Sequence, residues 1–487
     1  MLNFKRTMLC SLFLLQFTLA FAQLVEKRSY AKIAAGDSEA DIIRKAANIR
    51  PSARQLRWQK LELTAFLHFG INTFTGREWG DGTESPAIFN PTELDARQWV
   101  RTCKEAGFKQ VILTAKHHDG FCLWPSKYTQ HSVKSSPWRN GAGDVVKEVA
   151  DACHEYGIGF GIYLSPWDRN SSYFGTPAYN DYFIHQLTEL LTQYGKVDEL
   201  WFDGANGEGP GGKKQVYEFN RWYALIRKLQ PSAVIAVMGP DVRWVGTESG
   251  YGRETEWSVV PGDALIQDQI AAASQKTTGF APMNMMEDDL GSLEKITRSK
   301  SLVWYPAEID VSIRPGWFYH QEEDSKVKST ATLMDIYYSS VGRNGVLLLN
   351  MPPDKRGLLT DYDVKALMDF KDQRDKVFSN NLVKAAKVVT KRNKDTTTML
   401  LTLPEKAAFN LLVVQEKLEK GQRVAQFELE YMENGSWKSA TKGTTIGSKR
   451  ILNFTAVTAK ELRLTVSKSR LKPVISEIGL YFQQPNP

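Results

Sequence analysis

The sequence is poor in cysteine, with four in 487 residues. Cys10 lies in an apolar N-terminal stretch, and the remaining three cysteines have no spacing typical of a metal site. An odd number of remaining thiols argues against a disulfide framework. Cys103 and Cys153 fall within helical patterns, so we expect them to be small buried side chains.

Long apolar runs and basic runs are also missing. Beyond the N-terminus, no segment approaches the ~20 apolar residues that a membrane helix requires. The formal net charge is +7, but no cluster of Lys and Arg resembles a nucleic-acid-binding arm. We therefore expect no membrane span and no nucleic-acid partner.

The N-terminus has the pattern of a secretory signal. Lys5 and Arg6 precede an apolar stretch from Met8 to Phe21, and Ala20-Phe21-Ala22 supplies a small–x–small cleavage site before Gln23. The sequence thus predicts a signal peptide over residues 1–22 and a periplasmic or secreted mature protein.

Between about residues 60 and 375, strand-like apolar runs alternate with amphipathic helices. This many strand–helix units predict a TIM-like (β/α)8 barrel, and we assign it to residues 23–380 together with an N-terminal extension. One late strand is predicted over residues 302–307. A doubly wound parallel sheet is the competing α/β architecture, but no Gly-rich dinucleotide fingerprint follows the first strand.

Composition changes near residue 380. Residues 397–403 and 409–415 are two of several short alternating segments separated by polar turns, which predicts a C-terminal antiparallel β-sandwich over residues 381–487. The closing run at residues 475–480 resembles galactose-binding-like modules. Both a packing domain and a second sugar site fit this pattern.

The run Leu200-Trp201-Phe202-Asp203-Gly204 brings one carboxylate to the end of an apolar strand, directly before a Gly-rich loop. In a barrel, such a position faces the site formed by the carboxyl ends of the strands. Asp203 is therefore predicted to be a nucleophile, a general base or a metal ligand. A helix cap or a salt-bridge partner is the structural alternative.

Other predicted strand ends carry polar and aromatic residues, which converge if the barrel closes: His68, Glu78, Trp79, His117, His118, Tyr163 and Trp201. This mixture suits a sugar, whose hydroxyls and apolar ring face need different partners. His68 also fits a satisfied core histidine. His117 and His118 would point in opposite directions if the strand continued through them.

Five ordered motifs, at residues 66–70, 78–79, 114–121, 161–165 and 201–204, resemble those of the α-L-fucosidases of glycoside hydrolase family 29. Residues 350–353 and 356–357 resemble a late motif of the same family. The resemblance implies retaining hydrolysis of fucosylated oligosaccharides or glycoconjugates without a cofactor or metal. It makes Asp203 the nucleophile and assigns the seven strand-end residues above to the fucose subsite.

Residues 243–258 resemble the subgroup that acts on α-1,3/1,4-linked fucose in Lewis-type glycans. In that subgroup the acid/base glutamate follows a Trp-x-Gly-x motif, which selects Glu248, while Glu254 and Glu256 stay open as alternatives. Glu254, Asp310 and Trp317 are further substrate-binding candidates. Glu308 and Arg314 lie in the same late motifs, where an Arg–carboxylate pair at a strand end is an equal interpretation.

Three other functions fit the same residues. One is a fucosidase with a broader or an α-1,2/1,6 linkage preference. Another is a metal-dependent hydrolase with His68, His117, His118 and Asp203 as ligands, although strand ligands usually alternate as His-x-His and no such motif occurs. The last is a glycan-binding protein on an inactive barrel.

Overall fold

The computed structural model describes residues 26–262, 287–393 and 396–484. The predicted signal peptide over residues 1–22 lies outside these ranges. Within them, no helix combines the length and the apolar character that crossing a membrane demands.

The described strands fall into an N-terminal α/β part and a C-terminal all-β part. In chain order they are β1 (Tyr30–Lys32), β2 (Leu63–Leu67), β3 (Gln110–Lys116), β4 (Gly159–Leu164), β5 (Glu199–Phe202), β6 (Val234–Val237), β7 (Arg243–Trp244), β8 (Val259–Pro261), β9 (Ser301–Trp304), β10 (Ala307–Ser312), β11 (Val346–Asn350), β12 (Lys387–Arg392), β13 (Thr397–Glu416), β14 (Val424–Glu433), β15 (Ser436–Gly443), β16 (Arg450–Ser469) and β17 (Ile475–Tyr481).

The α-helices of the described residues lie in the N-terminal part. They are α1 (Glu39–Asn48), α2 (Ala53–Gln59), α3 (Ile71–Thr75), α4 (Ala96–Glu105), α5 (Val145–Tyr156), α6 (Ala178–Gln193), α7 (Phe219–Leu229), α8 (Leu293–Arg298), α9 (Thr330–Ser340) and α10 (Asp361–Phe378).

Eight strands form the predicted barrel, in the order β6-β5-β4-β3-β2-β11-β10-β7. Their pairings are parallel, and a single parallel bridge between Ala236 and Val242 closes the ring beside β6 and β7. The doubly wound alternative is therefore wrong. Because the strands are parallel, their carboxyl ends open at one face of the barrel.

Strand and helix sequences explain this arrangement. Every residue of β2 and β3 is buried, as expected for strands covered on both faces. In α4, Trp99, Val100 and Cys103 are buried on one face, and the Asp95 carboxylate caps the first turn by accepting from Arg97 and Gln98 N–H groups. Cys103, Cys122 and Cys153 are all buried free thiols.

The prediction of a single strand over residues 302–307 is wrong, because this range contains the end of β9 and the start of β10. Ser301–Trp304 pairs with β1 and β8 in a three-stranded antiparallel sheet outside the barrel, whereas Ala307–Ser312 is the barrel strand. Pro306 separates them, since it lacks the N–H that a continuous ladder needs. An apolar run that continues across the proline hides this break in the sequence.

The C-terminal part is a six-stranded antiparallel sheet in the order β12-β13-β16-β14-β15, with β17 on β13. Two long strands, β13 and β16, run through it and carry register shifts near Thr402 and Phe409. Apolar side chains from both halves of these strands, such as Leu401 and Val414, share one core. The segments predicted as separate strands at residues 397–403 and 409–415 are thus one strand, because the polar residues between them form a bulge and no turn.

The C-terminal sheet contacts the backbone of residues 254–258 of the barrel part. Gln422 accepts from Ser258 N–H at 2.7 Å and donates to the Glu256 carbonyl at 3.0 Å. Arg450 donates to the Glu254 carbonyl at 2.6 Å, and Glu256 N–H donates to the Thr445 hydroxyl at 2.9 Å. These bonds tie residues 254–258 of the barrel part, which follow Glu248 in the chain, to the C-terminal part.

Candidate active site

A cavity of about 560 Å³ opens at the carboxyl ends of the barrel strands. Its lining includes eleven of the predicted site residues: His68, Glu78, Trp79, His117, His118, Tyr163, Trp201, Asp203, Glu248, Asp310 and Trp317. Phe66, Ala205, Trp244, Gly246, Thr247, Pro315 and Gly316 complete it. Residues far apart in sequence thus meet where the closed barrel brings the strand ends together.

Asp203 follows β5 and points into this cavity. Its Oδ1 accepts from Ala205 N–H at 2.7 Å, and its Oδ2 accepts from the Tyr163 hydroxyl at 3.1 Å. Burial raises the pKa of Asp203 above the ordinary aspartate value, and these donors oppose that shift by stabilising the charged form. The carboxylate is thus held in a defined orientation by neutral groups.

His118 is a neutral imidazole whose tautomer follows from its contacts. Ser165 donates its hydroxyl hydrogen to the Trp167 carbonyl at 2.6 Å, so the His118 Nδ1–H must donate to Ser165 Oγ at 2.7 Å. Burial, with nearby Arg169 and Lys116, lowers the pKa of His118 to about 3. Its Nε2, 3.8 Å from Asp203 Oδ2, is therefore an unprotonated acceptor.

His68 has the same tautomer for a similar reason. Asn350 donates its Nδ2 hydrogens to Ser312 Oγ and the Trp317 carbonyl, which leaves Asn350 Oδ1 to accept from His68 Nδ1–H at 2.8 Å. Burial lowers the pKa of His68 to about 3. His68 is therefore both a satisfied buried histidine and a cavity residue, so the two alternatives drawn from the sequence are compatible.

His117 and His118 both line the cavity, contrary to the expectation for a continuous strand. Strand β3 ends at Lys116 with a register shift after Thr114, so the pair lies in the bend beyond the ladder. The His117 ring stacks on Tyr163 with centroids 5.7 Å apart. A bend thus brings neighbouring residues to the same side.

Glu248 lies at the exposed rim, on a loop between two backbone anchors. Val245 N–H donates to the Glu308 carbonyl, and Gly250 N–H donates to the Asp310 carbonyl, both on β10. Gly250 has a φ of 80°, a conformation that favours glycine. Partial burial and the charge of Asp203 raise the pKa of Glu248, although Trp317 Nε1–H donates to its carboxylate at 3.1 Å.

Glu78 joins two loops at the cavity mouth. Its carboxylate accepts from Trp317 N–H at 2.9 Å and from Phe318 N–H at 3.3 Å, and it lies 2.7 Å from His320 Nε2. The adjacent Trp79 is 52% exposed and packs edge-on against His118. Glu78 therefore positions the Trp317 loop as well as lining the cavity.

Asp310 is a buried wall residue on β10. The indole Nε1–H of Trp244 donates to its Oδ1 at 2.6 Å. Burial, followed by the charge of Glu248, raises the pKa of Asp310 well above the aspartate value. Trp244 was not among the predicted site residues, although it is the tryptophan of the Trp-x-Gly-x motif that precedes Glu248 and could have been found from it.

The remaining candidates lie away from the cavity lining. Glu254 pairs with Arg450 and Arg343, and buried Glu256 pairs with Arg243 and Arg253. Glu254 thus forms ion pairs at the boundary with the C-terminal sheet, and Glu256 forms them in the interior.

Two other late-motif residues are also buried away from solvent. Arg314 is bound by Asp363 at 3.0 Å, which matches the Arg–carboxylate interpretation. Glu308 accepts from Trp201 Nε1–H at 2.7 Å beneath the cavity.

Within the described ranges, no group of three or more His, Cys, Asp or Glu side chains is arranged to hold a metal ion. The cavity combines four carboxyl groups, Asp203 and Glu248 among them, with neutral imidazoles and aromatic walls at the mouth of a (β/α)8 barrel. This combination is typical of a glycoside hydrolase.

Comparison with known proteins gives the family. The family model described as α-L-fucosidase matches residues 57–372. The chain is 45% identical to α-L-fucosidase 1 of Arabidopsis thaliana over 467 residues, which cover 89% of this chain and 88% of that protein. The chain belongs to the α-L-fucosidase family of glycoside hydrolases.

Solved structures agree with this assignment. A candidate α-L-fucosidase from Bacteroides ovatus is 52% identical and superposes with a TM-score of 0.88, covering 94% of this chain and 78% of that one. A family 29 fucosidase variant from Ruminococcus gnavus, solved with fucose, is 29% identical with a TM-score of 0.78, covering 94% and 98%. The likeness to both structures extends over 94% of the chain and therefore includes the barrel and most of the C-terminal sheet.

Ser165→Ala should weaken binding of L-fucose about fivefold, because His118 loses the acceptor that fixes its Nδ1–H tautomer. Isothermal titration calorimetry measures this affinity. Ser126→Ala is the matched control, since Ser126 is equally buried but lies outside the cavity lining. Equal affinities for the wild type and Ser165→Ala would contradict the role of Ser165.

Proposed function

We propose that this chain is an exported, retaining exo-α-L-fucosidase that removes terminal α-1,3- or α-1,4-linked L-fucose from Lewis-type glycans. The observation that carries the proposal is the placement of Asp203 and Glu248 in one cavity, each with its own neighbours. Asp203 receives two hydrogen bonds that favour its charged form, whereas the charge of Asp203 favours the protonated form of Glu248.

In the first step, the Asp203 carboxylate attacks the anomeric carbon of fucose and forms an ester. The glycosidic C–O bond breaks, and the proton of Glu248 passes to the leaving oxygen. In the second step, Glu248 takes a proton from water while that water attacks the same carbon and the ester bond breaks. Fucose leaves with its α configuration, and both carboxyl groups return to their starting states.

Esterification explains how one glutamate serves as acid and then as base. Asp203 loses its negative charge when it forms the ester, so one cause of the raised pKa of Glu248 disappears. Glu248 then releases its proton more readily and is ready to deprotonate water.

The hydroxyls and the ring of fucose find complementary partners in the cavity. The Nε2 atoms of His68 and His118 are acceptors for sugar hydroxyls, because both Nδ1 atoms carry the proton. Trp201 and Tyr163 stack with centroids 5.2 Å apart and offer an apolar wall. Neutral acceptors and aromatic faces favour an uncharged sugar over an anionic one.

The rim supports a preference for branched glycans. Trp79 and Trp317 flank the opening, and Trp317 also donates to Glu248. Sugars beyond the fucose would therefore contact indole surfaces beside the proposed acid. The resemblance of residues 243–258 to the α-1,3/1,4 subgroup points the same way.

Digestion of fucosylated oligosaccharides tests the reaction and the linkage together. We expect cleavage of Lewis-type trisaccharides, slow cleavage of α-1,2-linked fucose, and α-fucose as the first product in proton NMR. Asp203→Asn should retain fucose binding but lose turnover by at least about 10³-fold. β-Fucose as first product would contradict retention, and binding without turnover in the wild type would indicate a glycan-binding protein.

Glu248→Gln should remove the alkaline limb of the kcat/KM profile on an aryl α-L-fucoside. In the wild type, activity falls as pH rises through the pKa of Glu248, which burial and Asp203 place above the ordinary glutamate value. Added azide should restore turnover, because it replaces the water that Glu248 activates.

Glu254→Gln and Glu256→Gln are the controls for this variant, since both residues lie in ion pairs outside the cavity lining. If azide restored the turnover of one of these controls and not that of Glu248→Gln, the residue substituted in that control would be the acid/base.

Export is supported by the signal-like pattern of residues 1–22. Expression of the full chain in a Gram-negative host should yield a periplasmic or secreted protein whose first residue is Gln23, as read by N-terminal sequencing. A cytoplasmic product that retains Met1 would contradict export.

A further inference from the structure

Two acidic side chains lie inside the barrel, one layer below the proposed active site. Glu199 on β5 is 0% exposed, and Glu308 on β10 is 1% exposed. Neither lines the cavity. Their presence in the interior calls for an explanation, because an ionised carboxylate is rarely buried without compensating partners.

Each carboxyl group uses one oxygen to accept hydrogen bonds from neutral donors. Glu199 Oε2 accepts from Trp58 Nε1–H at 3.0 Å and from Gln110 Nε2–H at 2.5 Å. Glu308 Oε2 accepts from Trp201 Nε1–H at 2.7 Å. In each group, Oε1 has no hydrogen-bond partner among the described residues.

The two carboxyl groups also act on each other. Burial raises the pKa of both groups, that of Glu199 to about 8, and the charge of Glu199 raises the pKa of Glu308 further, whereas a hydrogen bond from a protonated Glu308 lowers the pKa of Glu199. The further charges that act on them, Asp198 on Glu199 and Asp310 on Glu308, are acidic as well. Arg243 on the adjacent β7 is already bound to Glu256. A proton held between the two carboxyl groups satisfies both free oxygens and removes one charge.

This pair reaches the cavity through Trp201. The Trp201 indole lines the cavity, and its Nε1–H donates to Glu308 below the cavity. Its ring stacks on Tyr163, whose hydroxyl donates to Asp203 at 3.1 Å. A shift of Trp201 would therefore displace Tyr163, whose hydroxyl is bonded to the proposed nucleophile.

We propose that Glu199 and Glu308 form a carboxyl pair with a shared proton that fixes Trp201, so that Glu308 is a positioning residue for hydrolysis. Glu308 acts through the indole and not by contact with substrate. The inference rests on fucoside hydrolysis in this cavity and adds a buried layer to the proposed site.

Substitutions at position 308 test the pair through kcat/KM on an aryl α-L-fucoside. Glu308→Leu should lower kcat/KM on the order of tenfold in the folded fraction, because the buried indole N–H loses its acceptor. Glu308→Gln should keep kcat/KM within about twofold, since its amide accepts from Trp201 and donates to Glu199. Equal losses in both variants, or no loss in Glu308→Leu, would overturn the proposal.

Glu189 provides a matched control. It is a buried glutamate that accepts from Trp124 Nε1–H at 2.8 Å, but neither residue lines the cavity. Glu189→Leu should lower the unfolding temperature while leaving kcat/KM unchanged. A loss of kcat/KM equal to that of Glu308→Leu would mean that any buried glutamate has this effect, which contradicts a specific role.

A double-mutant cycle locates the effect in the indole bond. Trp201→Phe removes the N–H, so Glu308→Leu should cause a smaller loss of kcat/KM in that background than in the wild type. Additive losses would contradict transmission through Trp201.

Stability against pH tests the shared proton even if Glu308→Leu does not fold. Groups with a raised pKa in the folded state contribute most below the unfolded pKa and lose that contribution as pH rises through the folded value. The urea midpoint of Glu308→Gln relative to the wild type should therefore be higher at about pH 9 than at about pH 5. A pH-independent difference would contradict the shared proton.

These outcomes separate the inference from the proposed function. A wild type without turnover on any fucoside would count against the function itself. Turnover in the wild type with unchanged kcat/KM in Glu308→Leu would count against the carboxyl pair alone.

Discussion

The removal of Asp203 from water is the physical constraint on which the rest of the cavity depends. Burial raises the pKa of this carboxyl group, yet the proposed nucleophile has to be charged. The neutral Tyr163 hydroxyl and Ala205 amide stabilise that charge. The histidines meet the same constraint: because burial keeps His68 and His118 uncharged, they do not neutralise Asp203. Burial and the charge on Asp203 both favour the proton on Glu248, so the desolvated Asp203 suits each carboxyl group to the role proposed for it.

Alternation along the barrel strands extends this arrangement downward. Residues two apart on a strand point to the same face, so Glu199 and Trp201 follow one another up the interior side of β5, and Asp203 continues the row just past the end of the strand. On β10, Glu308 and Asp310 repeat the pattern. The interior is therefore layered: a carboxyl pair lies below, aromatic and acidic walls lie above it, and the proposed nucleophile lies at the mouth.

Much of the fold and site followed from local sequence, because strand–helix alternation and polar strand ends are short-range patterns. Asp203 and His68 were predictable as cavity residues for this reason. The strand predictions that were wrong depended on pairing between segments that are far apart in the sequence. Pro306 divides one apolar run between two sheets, and a polar stretch inside β13 forms a bulge. Spacing alone also left Glu254 as a candidate, since only the folded chain brings its partner Arg450 beside it.

The bonds between the C-terminal sheet and residues 254–258 have an evolutionary consequence. The sheet looks like a module that could be exchanged, but Gln422 and Thr445 supply partners for backbone groups of the barrel itself. A gene fusion that replaced the sheet would leave those groups buried and unsatisfied next to the Glu248 loop. Barrel and sheet are therefore expected to be inherited together, and recombination at their junction should be selected against.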